Sequence, residues 1–319
     1  MVNEYSMKVV VTGGTGFVGR ELCRSLVHQG MGVTVFSRNV LQAKAVVDPL
    51  IKIVEWDGTT SGTWETELAS AAAVINLAGA PIAEGRWTPK RKRLIVDSRV
   101  NATRLLVQAI SRLTQKPRVL ISASGIGFYG TSHDRLFDEK NGPGSDFLAD
   151  LCVAWEQAAL AATQTAGVRA VCLRIGMVLD NDGGALAKLV PPFLAFMGGP
   201  IVPGTQWVSW IHRADLVSLI EWSLLNEKVS GPVNAVAPGP VTMRAFCKAL
   251  GKVLSRPSWL PVPEFALRLR FGEMASFLTT GQRVLPNVAL EGGYQFRFPE
   301  LESAFRSIFT RVPASEVRP

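Results

Sequence analysis

The chain is expected to fold as a Rossmann-type α/β protein, a doubly wound parallel sheet with a smaller C-terminal lobe. Three observations predict this. Residues 9–11 are an apolar run that leads straight into glycines at 13, 16 and 19 and then into an amphipathic stretch, the order of a dinucleotide-binding strand, turn and helix. Strand-like and helix-like segments then alternate as far as residue 175, a pattern that builds a parallel sheet covered by helices on both faces. Beyond residue 176 the alternation loosens, and proline and glycine become frequent between 190 and 240.

The elements follow in order. Val9, Val10 and Val11 make the first strand. The turn after it needs glycine because it is too tight for a Cβ, and because a pyrophosphate must approach bare backbone N–H groups at the positive end of a helix. That helix is expected over 17–28, a second strand over 33–37 and a third over 51–56. The fourth strand, 73–77, ends in Asn76-Leu77-Ala78-Gly79, where small residues let the backbone come close to a ligand. A long helix over 94–113, a fifth strand over 118–124, a second long helix over 146–165 and a sixth strand over 170–175 complete the alternation, with right-handed crossovers. Later helices are expected at 214–225, 243–254 and 263–270. The expected division is a nucleotide-binding domain over 1–180 and a smaller substrate lobe over 181–319. Ligands in open α/β sheets sit at the carboxyl ends of the strands, so the interface between lobes should form the cleft. Trp207, Trp210 and His212 either line that cleft, which would imply a substrate with an apolar or aromatic part, or form a core cluster between the lobes.

Composition narrows the function classes. The chain has 319 residues, 47% of them hydrophobic and 19% charged, which suits a well-packed globular protein. No apolar run reaches the roughly 18 residues a membrane-spanning helix needs. Met1 to Ser6 is all that precedes the first strand, too little for a leader, so the cytoplasm is the expected compartment; the plastid stroma stays open if a transit peptide has been removed. The net charge of +8 is concentrated in Lys90-Arg91-Lys92-Arg93 with Arg86, Arg99 and Arg104 nearby. Basic residues interleaved with aromatics over a wide surface are missing, so no nucleic-acid partner is expected. A solvated helix face accounts for the run; weak contact with an anionic membrane is the functional alternative. Cys23, Cys152, Cys172 and Cys247 lie far apart within apolar patterns and read as buried free thiols. Neither they nor His28, His133 and His212 have metal-ligand spacing, so no metal is expected.

The end of the second strand selects the cofactor. An acidic residue there would hold the adenosine ribose 2′-hydroxyl of NAD, but this chain has Ser37-Arg38. A guanidinium pairs with a 2′-phosphate and a hydroxyl can donate to it, so NADP(H) is the expected cofactor.

With Thr12-Gly-Gly-Thr-Gly-Phe-Val-Gly19, Asn76-Leu-Ala-Gly79 and Ser124-Gly-Ile-Gly-Phe-Tyr-Gly130, the chain resembles a short-chain dehydrogenase/reductase of the extended type. More narrowly it is similar to the atypical "epimerase family" branch, through Asp97-Ser-Arg99, Asp146-Phe-Leu148, Trp155-Glu156, Arg174-Ile-Gly176, Trp210-Ile-His212, Asp215 and Asn234-Ala-Val-Ala-Pro238. The tail around Gly292-Gly-Tyr-Gln-Phe-Arg-Phe-Pro-Glu-Leu301 resembles that branch's own C-terminal module, expected over about 263–312. The resemblance covers nearly the whole chain. It implies a cofactor site made by Gly13, Thr15, Gly16, Phe17, Val18, Ser37, Arg38, Leu77, Ala78, Gly79, Arg99 and Val178. It also implies a monomer or a dimer formed through the two long helices.

One departure matters. In the wider superfamily a tyrosine passes the proton, a lysine four residues later lowers its pKa, and a serine polarises the substrate oxygen. The matching positions here are Leu148 and Cys152, and the serine pair is altered to Ser124-Gly125. Two readings follow. The chain is an NADP-dependent oxidoreductase or epimerase acting on a small carbonyl or hydroxyl compound, with Ser124 and Tyr129 as relocated acid–base candidates. Alternatively it binds NADP without turnover, as a redox sensor or a scaffold for division or membrane machinery, and Tyr129 only packs the loop. Glu156 reads as a brace for its own helix, and Cys152 as an inert core thiol.

Overall fold

The computed structural model describes residues 7–310. The short N-terminal stretch 1–6, and residues 311 and 312 of the expected C-terminal module, lie outside the described residues. In the first half, Lys8–Thr12 (β1), Phe17–His28 (α1), Gly32–Ser37 (β2), Val40–Lys44 (α2), Lys52–Glu55 (β3), Glu65–Leu68 (α3) and Ala73–Asn76 (β4) succeed one another. Pro89–Val96 (α4) passes through a π turn at Asp97–Asn101 into Ala102–Arg112 (α5). Val119–Gly125 (β5), Leu136–Phe137 (β6), Phe147–Ala166 (α6) and Arg169–Ile175 (β7) follow. The helix expected over 94–113 therefore starts earlier. Thr88 accepts a hydrogen bond from the Arg91 N–H and Pro89 fills the first helical position, so the basic run 90–93 forms its opening turn.

Met177–Leu179 (β8), Leu186–Leu194 (α7), Trp207–Val208 (β9), Trp210–His212 (β10), Arg213–Leu225 (α8), Gly231–Ala235 (β11), Val241–Thr242 (β12) and Met243–Leu254 (α9) come next. The chain closes with Glu264–Phe271 (α10), Ala275–Thr279 (α11), Arg283–Val284 (β13), Asn287–Glu291 (α12) and Leu301–Phe309 (α13).

Seven strands form one parallel sheet in the order β3-β2-β1-β4-β5-β7-β11. Its central strands β1, β4, β5 and β7 are buried on both faces, as the interior of an all-parallel sheet requires, while the edge strand β3 is partly exposed. Val9, Val11, Ile75 and Ile121 pack toward Leu22 and Leu26 of α1 and Leu216 and Ile220 of α8. Val10, Val74 and Leu120 pack the other way, toward Leu106 and Ile110 of α5 and Ala159 and Ala162 of α6. The strand order reverses between β1 and β4, which opens a crevice at their carboxyl ends.

The sequence pattern points to six strands and a boundary at residue 180; the sheet instead takes a seventh strand from 231–235 and a covering helix from 213–225. Pro232 and Asn234 interrupt the apolar run of β11 and hide it, and as an edge strand it tolerates the proline. The smaller lobe has its own core, in which Leu186 and Phe193 meet Phe246, Leu250 and Phe305. Trp210 is part of the smaller lobe's core and His212 is buried against Phe298 of that core, so neither forms a cleft wall. Trp210 is fully buried and its indole donates to the Gly239 carbonyl at 2.9 Å. The His212 ring lies 4.1 Å from that of Phe298, and its Nδ1 accepts from the Ala214 N–H at 3.0 Å. Trp207 donates to the His133 carbonyl at 2.8 Å, with the Arg283 guanidinium 4.5 Å above its ring.

Candidate functional site

The crevice is built at the ends of β1 and β4. Gly13 has a φ of +70°, and a Cβ there would lie 2.7 Å from the Leu77 carbonyl carbon and oxygen and 2.9 Å from the Ala78 nitrogen. At Gly19 a Cβ would lie 2.2 Å from the Gly13 carbonyl oxygen, so the turn and the start of α1 can pack together only through bare backbone. Gly16 caps α1 with no side-chain acceptor, and Thr15 flanks it, leaving the first N–H groups of the helix directed into the crevice. The loop 77–79 is held by a buried chain of polar groups. Thr12 Oγ1 donates to Asn76 Oδ1 at 2.7 Å, and Asn76 Nδ2 donates to Thr103 at 2.8 Å and Ser122 at 3.2 Å. Thr12 Oγ1 also accepts from the Ala78 N–H at 3.2 Å. Thr103 and Ser122 escape sequence reading because one polar residue inside a helix or a strand looks ordinary, whereas Thr12 and Asn76, at corresponding ends of paired strands, already stand in the motifs.

Arg99 projects from the π turn against this loop. A Cβ on Gly79 would lie 2.8 Å from its guanidinium carbon, so Gly79 is needed to admit it. Its side chain is 7% exposed, lies 5.3 Å from the Trp155 ring and donates to the Ile95 carbonyl at 3.2 Å. No carboxylate pairs with it among the described residues, and its Nε has no partner. Burial holds its pKa down at about 10, and the like charge of Arg91 adds to that. A buried cation without a counter-ion is costly, and the approach of an external anion would relieve that cost. On the far side, Phe17 is enclosed by the loop after β8. A Cβ on Gly183 would lie 2.5 Å from its ring, Gly184 also contacts the Val178 carbonyl, and the Arg213 guanidinium sits 4.9 Å above the ring. Val18 and Val178 pack against the same core. Ser37 Oγ donates to the Asn39 carbonyl at 3.2 Å, and Arg38 is exposed beside it at the end of β2.

A second buried network lies at the end of β5. Arg174 makes a bidentate pair with Glu156, Nε to Oε1 at 2.9 Å and Nη2 to Oε2 at 2.8 Å, with both side chains at most 6% exposed. Ser124 Oγ donates to Glu156 Oε1 at 2.7 Å. Arg174 Nη1 donates to the Tyr129 hydroxyl at 2.9 Å, and that hydroxyl donates to Asn234 Oδ1 at 2.7 Å. Burial pushes the Tyr129 pKa up to about 12, although Arg174 works against the rise. Burial would depress the Arg174 pKa, but Glu156 overrides it and raises the value, so the guanidinium stays charged. The structure thus gathers Ser124 and Tyr129 into one network, with the Tyr129 proton already committed to Asn234. Glu156 does more than brace α6: it ties α6 to β5 and β7. Arg174 inside an apolar strand is the sequence signal that a buried carboxylate partner exists. Cys152 lies beside Gly125, where a Cβ would be 3.7 Å from its sulfur; burial pushes the thiol up to about 11, so it is neutral.

Comparison with known proteins agrees with this geometry. The model of the NAD-dependent epimerase/dehydratase family matches residues 9–236. The chain belongs to this family. A second model, a domain of unknown function called DUF1731, matches residues 262–308. As an epimerase-family protein the chain is 43% identical over 311 residues to the epimerase family protein SDR39U1 homolog, chloroplastic, of Arabidopsis thaliana, covering 96% of this chain and 87% of that one. It is 39% identical to the epimerase family protein YfhF of Bacillus subtilis, covering 95% and 98%. The crystal structure of human epimerase family protein SDR39U1 (isoform 2) with NADPH superposes with a TM-score of 0.84 at 33% identity, covering 96% of this chain and all of that one. A UDP-galactose 4-epimerase at 18% identity and a TM-score of 0.72 shares the fold. This family member is therefore an atypical extended short-chain dehydrogenase/reductase. No helix among its described residues is long and apolar enough to cross a membrane.

Proposed function

We propose that this protein binds NADP(H) and acts as an oxidoreductase or epimerase on a small carbonyl or hydroxyl compound. The observation that carries the reading is the bare crevice between Gly13, the open start of α1 and loop 77–79, closed by the unpaired Arg99 guanidinium. These residues fit a pyrophosphate: backbone donors, room made by glycine, and a buried cation. The exposed Arg38 guanidinium is placed to take the 2′-phosphate, in keeping with the NADPH in the human relative's structure. When bound, the nicotinamide supplies or accepts hydride. Ser124 would meet the reacting oxygen, since its own proton is held by Glu156 and its lone pairs are free to accept one from a substrate hydroxyl. Tyr129 acts through Arg174 as a positioning residue. The named Arabidopsis relative is chloroplastic, and a plastid stroma or a bacterial-type cytoplasm would suit this chain equally.

The second reading, binding without turnover, is favoured by Leu148 and Cys152 at the relay positions and by the engaged Tyr129 proton. Two measurements test both. NADPH titration followed by its fluorescence should show saturable binding stronger than that of NADH. NADPH absorbance should then fall with one or more members of a panel of aldehydes, ketones and enones, and Ser124→Ala should slow that loss by about 100-fold or more. Failure of NADPH to bind refutes both readings; tight binding with no oxidation by any carbonyl refutes the enzyme.

A further inference from the structure

Beside the crevice lies an apolar wall. Trp87, Leu151, Trp155 and Met274 are buried together, with Ile82, Phe147 and Leu148 packed against them. Trp87 and Phe147 meet edge to face at 5.3 Å, and the Trp87 indole donates to the Ile82 carbonyl at 3.0 Å. Leu148 stands where the superfamily has its tyrosine, so this wall borders the position of the reacting carbon. The wall's rim is loop 80–84, and cations crowd it. Arg91 donates to the Pro81 carbonyl and pairs with Glu84 at 3.0 Å. Lys188 reaches across from the smaller lobe to the Ala83 carbonyl at 3.2 Å. Next along the same helical run, Ser98 Oγ accepts from the Ala80 N–H at 3.0 Å and Arg99 packs against Gly79.

The charge on this rim is not balanced from within. The Nε of Arg91, like that of Arg99, is buried without a partner. Among the described residues the one carboxylate on Arg91 belongs to Glu84, whose side chain is 65% exposed and lies on the loop itself, so it holds the guanidinium weakly and can leave. Arg99 is close enough to Arg91 for their like charges to oppose each other. Arg99 contacts the loop that flanks the pyrophosphate position and is occupied there. Arg91 faces the next stretch of the loop, on the side of the apolar wall, and serves a different anion.

We infer that the substrate is itself an anion, a carboxylate or phosphate joined to an apolar body, with its charge met by Arg91 and Lys188 and its body lying on Trp87, Phe147 and Leu148. This deepens the NADP(H)-dependent reading above and rests on it. Glu84 occupies the guanidinium until the substrate's anion displaces it.

The test uses the full-length protein saturated with NADPH, so cofactor binding is established first and separately. Phenylpyruvate and phenyl phosphate are the anionic probes, and methyl phenylpyruvate is the neutral one; tryptophan fluorescence and melting temperature report binding. Both anions, or the one that matches the native group, should bind at least about tenfold more tightly than the ester, the scale of one charge-assisted hydrogen bond. Arg91→Gln should abolish that preference while leaving NADPH affinity unchanged. Glu84→Gln, which removes the competing carboxylate, should tighten the anion about two- to threefold. Equal binding of ester and anion, an undiminished preference in Arg91→Gln, or no binding of any probe to the NADPH complex would overturn the inference. Absence of NADPH binding would instead overturn the reading beneath it.

Discussion

Removal of the Glu156 carboxylate probes the centre of the fold and of the site together. In Glu156→Ala the Arg174 guanidinium, 4% exposed, loses both bonds of its bidentate pair, and Ser124 loses its acceptor. Stranding one member of a buried pair costs about 3–5 kcal/mol. The Ser124 hydroxyl adds about 1 kcal/mol, since it can turn to another acceptor only in part. Against a total stability of about 5–15 kcal/mol, this is a large share. At the roughly 2–4 °C per kcal/mol of a domain of 150–250 residues, the combined loss of about 4–6 kcal/mol should lower the melting temperature by about 8–24 °C, and somewhat less in this longer chain. Urea unfolding followed by circular dichroism gives the free energy directly, and a shared m-value checks that only stability changed. The decisive comparison is the double variant Glu156→Leu with Arg174→Met. Removing both charges in favour of apolar side chains should recover most of the loss, because the desolvation cost of the pair disappears with it. A loss below about 1 kcal/mol in Glu156→Ala, or a double variant less stable than the single one, would refute the claim that a stranded charge sets the magnitude.

Further outcomes are expected from other parts of the site. Gly13→Ala should abolish detectable NADPH binding in a fluorescence titration and lower stability by about 1–3 kcal/mol, since a Cβ meets Leu77 backbone at 2.7 Å and φ is positive. Arg38→Ala should weaken NADPH by about tenfold or more and leave NADH nearly unchanged, as loss of a charged contact to the 2′-phosphate requires. Tyr129 has a folded pKa of about 12 against 10 when exposed, so between those values the folded chain keeps a proton that the unfolded chain loses. Stability should therefore be unaffected by this group below pH 10 and fall by up to about 2–3 kcal/mol as pH climbs toward 12, and Tyr129→Phe should remove that component of the alkaline slope. The four buried thiols should be silent to Ellman's reagent in the native protein and all react after denaturation; a fast-reacting native thiol at Cys152 would contradict its buried, neutral state.

Much of this architecture was legible because it obeys period and turn chemistry. The glycine loop, the first six sheet strands and the helices over 17–28 and 243–254 each announce themselves by an apolar period bounded by a turn residue or a cap. What stayed hidden is long-range and polar. Strand β11 carries Pro232 and Asn234, and only pairing with β7 makes it a strand. The link from Ser124 through Glu156 and Arg174 to Tyr129 and Asn234 joins residues more than 100 positions apart, and no local pattern encodes it. The aromatic run at Trp207 and Trp210 looked equally suited to a cleft and to a core; the Trp210 indole reaching Gly239 and the His212 ring tilted against Phe298 place Trp210 and His212 in the smaller lobe's core. The C-terminal motif is explained by the same region, since buried Asp215 accepts from the Arg297 and Phe298 N–H groups at 2.8 and 2.9 Å and so latches the last segment to α8.

The altered relay and the buried arginine are linked by electrostatics. The superfamily's lysine would stand at position 152, close enough to Arg99 that the two side chains influence each other's charge. A lysine there would place a second cation beside a guanidinium that has no carboxylate of its own, in a pocket where burial already depresses Arg99. A neutral thiol adds no charge. Arg99 enters from a different helix, through a π turn that sets its side chain against Gly79. Leu148, at the position where the wider superfamily has its tyrosine, packs against the apolar cluster of Trp87 and Trp155. Positions 99, 148 and 152 belong together physically: a neutral thiol and an apolar side chain leave the buried Arg99 guanidinium without a competing cation from α6.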